Sequence, residues 1–293
     1  MSPTGGAVRK YVIDTTTQKV NTKLDANAAK HVEKVAATSA RHAEALDRLA
    51  EHLETIDVWM RTDRGSRKRG FNRGDIAAAA MRIADHEGIE AVSMRRIAAE
   101  LDAGTMTLYH YVRTKDELLT LVVDAFLGEV ALPAGQRLPR QWRPAITLIA
   151  RRTRDALRRH PWILDIADDP SIGPNAMRHF DQCLQAVASL DADLDDKIDL
   201  IMAVDEYVFG FCLHERNNLK DDVDSKEMTE YITALLDEDD YPALCGLVDE
   251  MGLERLWAKI HTHVRGSGRF DRNLTRLLAG FEASVVDRPS TRR

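Results

Sequence analysis

Long hydrophobic runs are missing from this chain. No stretch approaches the roughly 18 uninterrupted apolar residues a membrane span requires, so no membrane contact is expected. The first residues, Met1 to Lys10, carry charge with no apolar stretch behind it, which leaves no secretion signal and implies a cytoplasmic protein. Cysteine is scarce: Cys183, Cys212 and Cys245 are the only three, an odd number at spacings that suit no zinc site. All three fall among apolar residues, where cysteine acts as a small hydrophobe. The sequence also lacks a G-x-S-x-G elbow, a phosphate-binding loop, Rossmann glycines and an H-E-x-x-H pair. His261 and His263 stand two apart, which turns their imidazoles to different helix faces. An enzyme is therefore not expected, and neither is a metal or other cofactor.

What is present is an ordinary helix-rich composition, 44% apolar and 30% charged, with 6% aromatic residues and 16 glycines. At 293 residues the chain is too long for one small helical core, which predicts a head, a larger body and an appendage. The net charge of −6 is unevenly spread. From Arg61 to Lys115 there are 11 Lys/Arg and 7 Asp/Glu, a balance of +4, whereas Asp165 to Glu250 holds 5 against 23, or −18. A basic front and an acidic rear would orient the molecule on a polyanion.

Residues 1–24 show no sustained period. Val32, Val35, Ser39, His42, Leu46, Leu49, Leu53, Ile56 and Met60 then follow at steps of three and four, a seam that predicts a helix over about 25–60, either a coiled coil or a packed helix. The linker 61–70 gathers Arg67, Lys68 and Arg69; it is either a solvated hinge or an arm that follows DNA phosphates or enters a minor groove. Together, 1–70 form an N-terminal extension.

The next segment carries most of the inference. Asn72 with Asp75 reads as a capping box, Phe71 can staple onto Ile76, and Gly88 supplies a stop, so a helix is expected between them. Ser93 caps a short helix over 94–101, and after a break at 102–104 a third runs from Thr105 to about Tyr111. Two such short helices are unstable alone, so they must lean on the first helix and on the one opened by the Thr114-Lys115-Asp116-Glu117 box. The result is a helix-turn-helix whose second short helix fits a major groove.

The stretch AVSMRRIAAELDAGTMTLYHYVRTKDELL resembles the signature of the tetracycline-repressor (TetR/AcrR) family, and the likeness covers roughly residues 71–127. It implies a DNA-binding head over 71–127 and an effector-binding and dimerisation body over 135–286. It also implies that Arg95 and Arg96 lie at the DNA, that Thr105, Met106 and Thr107 face the groove, that Tyr109 and Tyr111 supply aromatic contacts, and that Lys115 holds a phosphate. From the residues themselves, arginine can pair with guanine, Thr methyls can touch thymine, and Lys and Tyr can position the backbone. The bland alternatives are that Tyr109 fills the core and that Arg96 pairs with Glu100. The sequence departs from the family at Asp102, where glycine is usual but aspartate tolerates a left-handed turn, and at Ala103, where a larger apolar residue is common.

Beyond Arg140 the pattern is helical almost throughout: 142–159, 175–190, a long central helix over 194–217 with Ala203 and Gly210 seven apart, and 270–284. The fold class is thus all-α, a helix-turn-helix head joined to a larger helical body and preceded by an extra N-terminal helix. The resemblance implies that two body helices per subunit make a four-helix homodimer interface, and that the protein is a repressor released from double-stranded operator DNA by a small-molecule inducer. Candidate pocket residues are Trp162, Phe180, Met202, Asp205, Tyr207, Phe211 and His214, with core packing the simpler account of most. Two other classes stay open: a scaffold recruiting partners through the N-terminal helix, and a thiol sensor using Cys212 or Cys245.

Overall fold

The computed structural model describes residues 58–61, 71–133, 135–167, 172–218, 225–236, 241–266 and 268–286. The chain divides into two units, Met1–Arg61 and Thr62–Arg293. Of the first, residues 58–60 are helical; the rest of the expected N-terminal helix, and the arm residues Arg67, Lys68 and Arg69, lie outside the described residues. Every regular element described in the second unit is helical.

α1 (Arg73–Glu87) begins at the expected box: Asn72 accepts from the Asp75 amide, and the Asp75 carboxylate accepts from the Asn72 amide. It ends on Gly88, whose φ of 87° is the left-handed conformation that favours glycine. Ile76, Ala79, Ala80 and Ile83 form its buried stripe, which meets α2 (Met94–Glu100) and α4 (Lys115–Val130). α3 (Thr105–Leu108) lies between these two. It stops short of the expected Tyr111 because the chain tightens into three-residue turns: the His110 amide bonds the Thr107 carbonyl at 3.3 Å and the Tyr111 amide the Leu108 carbonyl at 2.8 Å. The second box is half as expected. Thr114 caps the Glu117 amide at 3.1 Å, but the Glu117 carboxylate accepts from the Arg113 amide at 2.7 Å, one residue earlier.

The body comprises α5 (Trp142–Arg159), α6 (Pro174–Ala186), α7 (Leu194–Asn218), α8 (Ser225–Leu236), α9 (Pro242–Met251), α10 (Leu253–Arg265) and α11 (Arg269–Val286). α5 packs on α4, α6 and α7, and α7 packs on α11. Leu200, Ile201, Val204, Val208 and Cys212 of α7 are buried, as are Phe270, Leu274 and Leu278 of α11. The four-residue spacing of the second set is one apolar stripe of a helix. α6 ends at Ala186 rather than near residue 190, because Ala188 and Leu190 donate to carbonyls only three residues back and so do not prolong the α ladder.

Buried polar groups tie head to body. Asp124 of α4, 3% exposed, accepts from the Asn175 and Ala176 amides at 2.9 and 3.0 Å and from Asn175 Nδ2 at 3.0 Å. It thus caps α6 from a neighbouring helix, since Gly173 at the N-cap has no side chain to do so. His160, 7% exposed, places Nδ1 2.7 Å from Asp85 of α1 and Nε2 3.1 Å from Glu129 of α4. Trp162 Nε1 donates to the same Asp85 oxygen at 2.8 Å.

Candidate nucleic-acid interface

The turn between α2 and α3 sets how the recognition element projects. The Ala103 amide reaches the Ala98 carbonyl at 2.9 Å and the Asp102 amide the Ala99 carbonyl at 3.4 Å, while Asp102 takes φ 49°. These are the paired bonds and the left-handed residue of a Schellman ending. Aspartate therefore does what glycine does elsewhere, in a conformation that few other side chains enter. Leu108 and Val112, both 0% exposed, then pin α3 to the head core.

With Leu108 and Val112 inward, the opposite edge of α3 turns outward. Met106 is 77% exposed, an unusual position for a large apolar side chain, and Tyr109 is 43% exposed. Thr105 and Thr107 are half-buried, and Arg95 and Lys115 are exposed, neither with a side-chain partner among the described residues. His110, which the sequence reading passed over, is exposed beside Tyr109; the signal that could have found it is its place one residue past Tyr109 on an edge already assigned to solvent.

Two expected contacts occupy other positions. Tyr111 is 4% exposed, with its ring 5.4 Å from Phe71 and its carbonyl accepting from Arg73 Nε at 3.3 Å. It is Tyr111, not Tyr109, that fills the head core. Arg96 turns toward α1, bonding Glu87 at 2.7 Å and Glu100 at 3.0 Å, and these hydrogen bonds hold its proton more tightly than usual. Arg82 adds a bond to Glu100 at 3.4 Å, so this group braces α1 against α2 while Arg95, one residue before, stays open.

The residues considered for a ligand pocket fall in three places. Trp162 is buried at the junction of head and body. Tyr207, Phe211 and Phe270 form an aromatic cluster with centroids 5.2–5.9 Å apart, where the Tyr207 hydroxyl donates to the Phe270 carbonyl at 2.8 Å and Arg154 covers Phe211 and Phe270 at 5.3 and 4.8 Å. Phe180, Met202, Asp205 and His214 are exposed. Asp205 has its carboxyl raised to about 6 by desolvation, with Glu206 adding to the effect. Burial pushes the Cys183 and Cys212 thiols up to about 12. No group of three or more potential metal ligands occurs among the described residues, and no described helix is long and apolar enough to cross a membrane.

Comparison with known proteins converges on one family. Residues 76–122 match the family model for bacterial regulatory proteins of the tetR family, and residues 135–285 match the tetracyclin repressor-like C-terminal domain. The HTH-type transcriptional repressor DrrR1 of Streptomyces coeruleorubidus is 31% identical over 250 residues, 82% of this chain and 88% of that protein. An HTH-type transcriptional regulator of Saccharopolyspora erythraea is 32% identical over 232 residues, 78% of this chain and 92% of its own length. Among solved structures, Streptomyces coelicolor ActR in complex with (S)-DNPA aligns with a TM-score of 0.58 at 26% identity, covering 73% of this chain and 98% of ActR. ActR in complex with actinorhodin aligns with a TM-score of 0.55 at 25% identity, covering 75% and 99%.

Proposed function

The chain belongs to the TetR family of DNA-binding transcriptional regulators, and from that premise we propose that it is a homodimeric repressor that leaves its operator when the body binds a small molecule. The observation that carries the DNA reading is the outward edge of α3: Met106 and Tyr109 are held in solvent by a fully buried Leu108. An apolar side chain exposed to that extent makes sense as a base-edge or thymine-methyl contact. We assign base contacts to Arg95, Thr105, Met106 and Thr107, with Tyr109 and His110 beside them and Lys115 on a phosphate. A lysine in the first turn of α4 opposes the helix dipole, so its place there is explained by an anion outside the protein. Arg96 and Tyr111 act by bracing the head rather than by touching DNA.

Dimerisation is proposed through α7 and α11. A Cβ added at Gly210 or at Gly280 would meet nothing within 4 Å in the single chain, while Met202 and Leu213 of α7 are 44% and 40% exposed. Small residues beside exposed apolar ones suit the close approach of a second copy, and two copies would set the half-site spacing of about 34–36 Å. The small-molecule response follows from the likeness to ActR, whose structures hold (S)-DNPA and actinorhodin. Phe180, Met202, Asp205 and His214 stand as ligand or partner contacts, and Trp162, Tyr207 and Phe211 as the packing behind them. No catalytic step is part of this function, and its place of action is the cytoplasm.

Gel-shift and footprinting on the DNA upstream of the protein's own gene test this reading. Arg95→Ala is expected to relax base preference by about 1–3 kcal/mol, and Lys115→Ala to weaken all duplexes alike and lower the salt slope by about 1. Equal losses on specific and random duplex from both variants would refute the division of roles.

A further inference from the structure

Between the last turn of α4, the segment after it, α5 and α6 lies a cleft of about 740 Å³, within the range of about 300–1,000 Å³ typical of small-ligand sites. Its charged lining is Arg152, Arg159 and Arg178 against the single carboxylate of Glu129, with Leu132 and Pro133 as an apolar wall. Arg159 pairs with Glu129, but the other two arginines are held by neutral groups that leave their charge in place. Arg152 donates to the carbonyls of Glu129, Val130 and Ala131 at 2.9, 2.7 and 2.8 Å, and Arg178 to the amide oxygen of Asn175 at 2.9 Å. The acid that feels Arg178, Asp124, is buried and occupied by the amides of α6. Gln182 clamps Leu132 by accepting from its amide at 2.8 Å and donating to its carbonyl at 3.3 Å, so the apolar wall is fixed before any ligand arrives. A net positive, preorganised cleft with one greasy side selects an anion with an apolar body.

Glu129 also connects this cleft to the head. One of its oxygens accepts from Arg159 at 3.0 Å and lies 3.1 Å from His160 Nε2; the other ring nitrogen of His160 sits 2.7 Å from Asp85 on α1. An acid that takes Arg159 competes directly with Glu129, and any movement of Glu129 is felt at His160 and hence at α1.

We propose that this cleft binds a small organic acid, its carboxylate held by Arg159 and Arg178 and its apolar part on Leu132 and Pro133, and that Glu129 and His160 relay its arrival to the DNA-binding head. The relay, though not the binding, rests on the ligand-released repressor reading. Calorimetric titration of the full chain without DNA, using 1-naphthoate and the uncharged 1-naphthamide, tests the binding. The acid binds and the amide does not; Arg159→Gln with Arg178→Gln weakens the acid at least about tenfold; and the Arg159→Lys, Arg178→Lys pair keeps most of the affinity, which separates lost charge from lost folding. Equal binding of acid and amide, full affinity in the Gln pair, or no binding of the acid overturns the site. The relay is then read by fluorescence anisotropy on operator DNA. Saturating naphthoate lowers the affinity of the original protein at least about fivefold and leaves that of Glu129→Gln unchanged, although this variant still binds the acid. An unchanged DNA affinity in the acid-saturated original protein overturns the relay while leaving the site standing.

Discussion

Replacing Asp124 by alanine should expose how firmly α4 is anchored to the body. The carboxylate serves three donors at 2.9–3.0 Å, two of them first-turn amides of α6, at a site where neither Asp124 nor Ala176 exceeds 7% exposure. Alanine leaves those amides without an acceptor. At about 1–3 kcal/mol for each buried group left unsatisfied, softened by the carboxylate desolvation that is relieved, the loss should be about 3 kcal/mol. Asparagine keeps the shape and one oxygen able to accept both amides, and loses only the bond to Asn175 Nδ2, so it should cost about 1 kcal/mol. The sign of the pH effect is also fixed. Burial raises the Asp124 pKa above its ordinary value, so its contribution to stability is full below the unfolded value of about 3.9 and is lost as pH rises through the folded one. Asp124→Asn should therefore gain on the original protein as pH rises from about 4 toward neutrality. Urea unfolding followed by circular dichroism, with the midpoint shifting at constant slope, measures all of this. An alanine variant within about 1 kcal/mol of the original, or one no worse than asparagine, would refute the capping account.

Three further outcomes are expected. A Cβ at Gly280 meets nothing within 4 Å in the single chain and Gly280→Leu gains about 1 kcal/mol in helix propensity, so monomer folding should survive while light scattering shows loss of the dimer; a persistent dimer would move the interface elsewhere. Asp205, with its pKa raised to about 6, should make the protein less stable as pH rises from about 4 to about 6, and Asp205→Asn should flatten that slope in thermal melts; an unchanged slope would remove Asp205 as its source. Because the Cys183 and Cys212 thiols are pushed up to about 12, a thiol reagent at pH 8 should label one cysteine per native chain, Cys245, and three after denaturation. Rapid labelling of Cys212 in the native protein would revive the thiol-sensor reading.

The head was legible because its signals are local. Caps at Asn72, Ser93 and Thr114 and a stop at Gly88 are written within four residues of the helix ends they control, and the left-handed Asp102 is readable from side-chain chemistry. Which of two neighbouring side chains turns inward is not local. Tyr109 and Tyr111 are chemically alike two residues apart, and their fates are decided by where the tightened end of α3 meets Phe71. Arg95 and Arg96 are likewise separated only by the position of Glu87 across the turn. The body was less legible for the same reason carried further. Asp124 caps a helix some 51 residues away, and the arginine-lined cleft gathers residues from 128 to 182; no spacing rule spans such separations. The one available hint was the run of arginines on α5, the densest basic stretch in an otherwise acidic half.

A rigid head is of use to a regulator only if the body can reorient it, and the junction supplies both properties. α4 belongs to each part: Leu118, Leu121 and Val122 are buried beneath the head, while Asp124 and Glu129 on the same helix hold α6 and His160. Gly128 marks how close the two helices run, because a Cβ there would stand 3.0 Å from Asn175 Nδ2 and 3.1 Å from its Cγ, so a methyl group would fit only if the Asn175 side chain gave way slightly. Packed interfaces step between arrangements rather than deform continuously, which favours passing a shift at the body end of α4 along the helix to its head end. His160 adds a second point of attachment, on α1. On the repressor reading proposed above, two attachments on different helices would turn a displacement in the body into a rotation of the head, and in a dimer rotation would change the span between the two recognition edges.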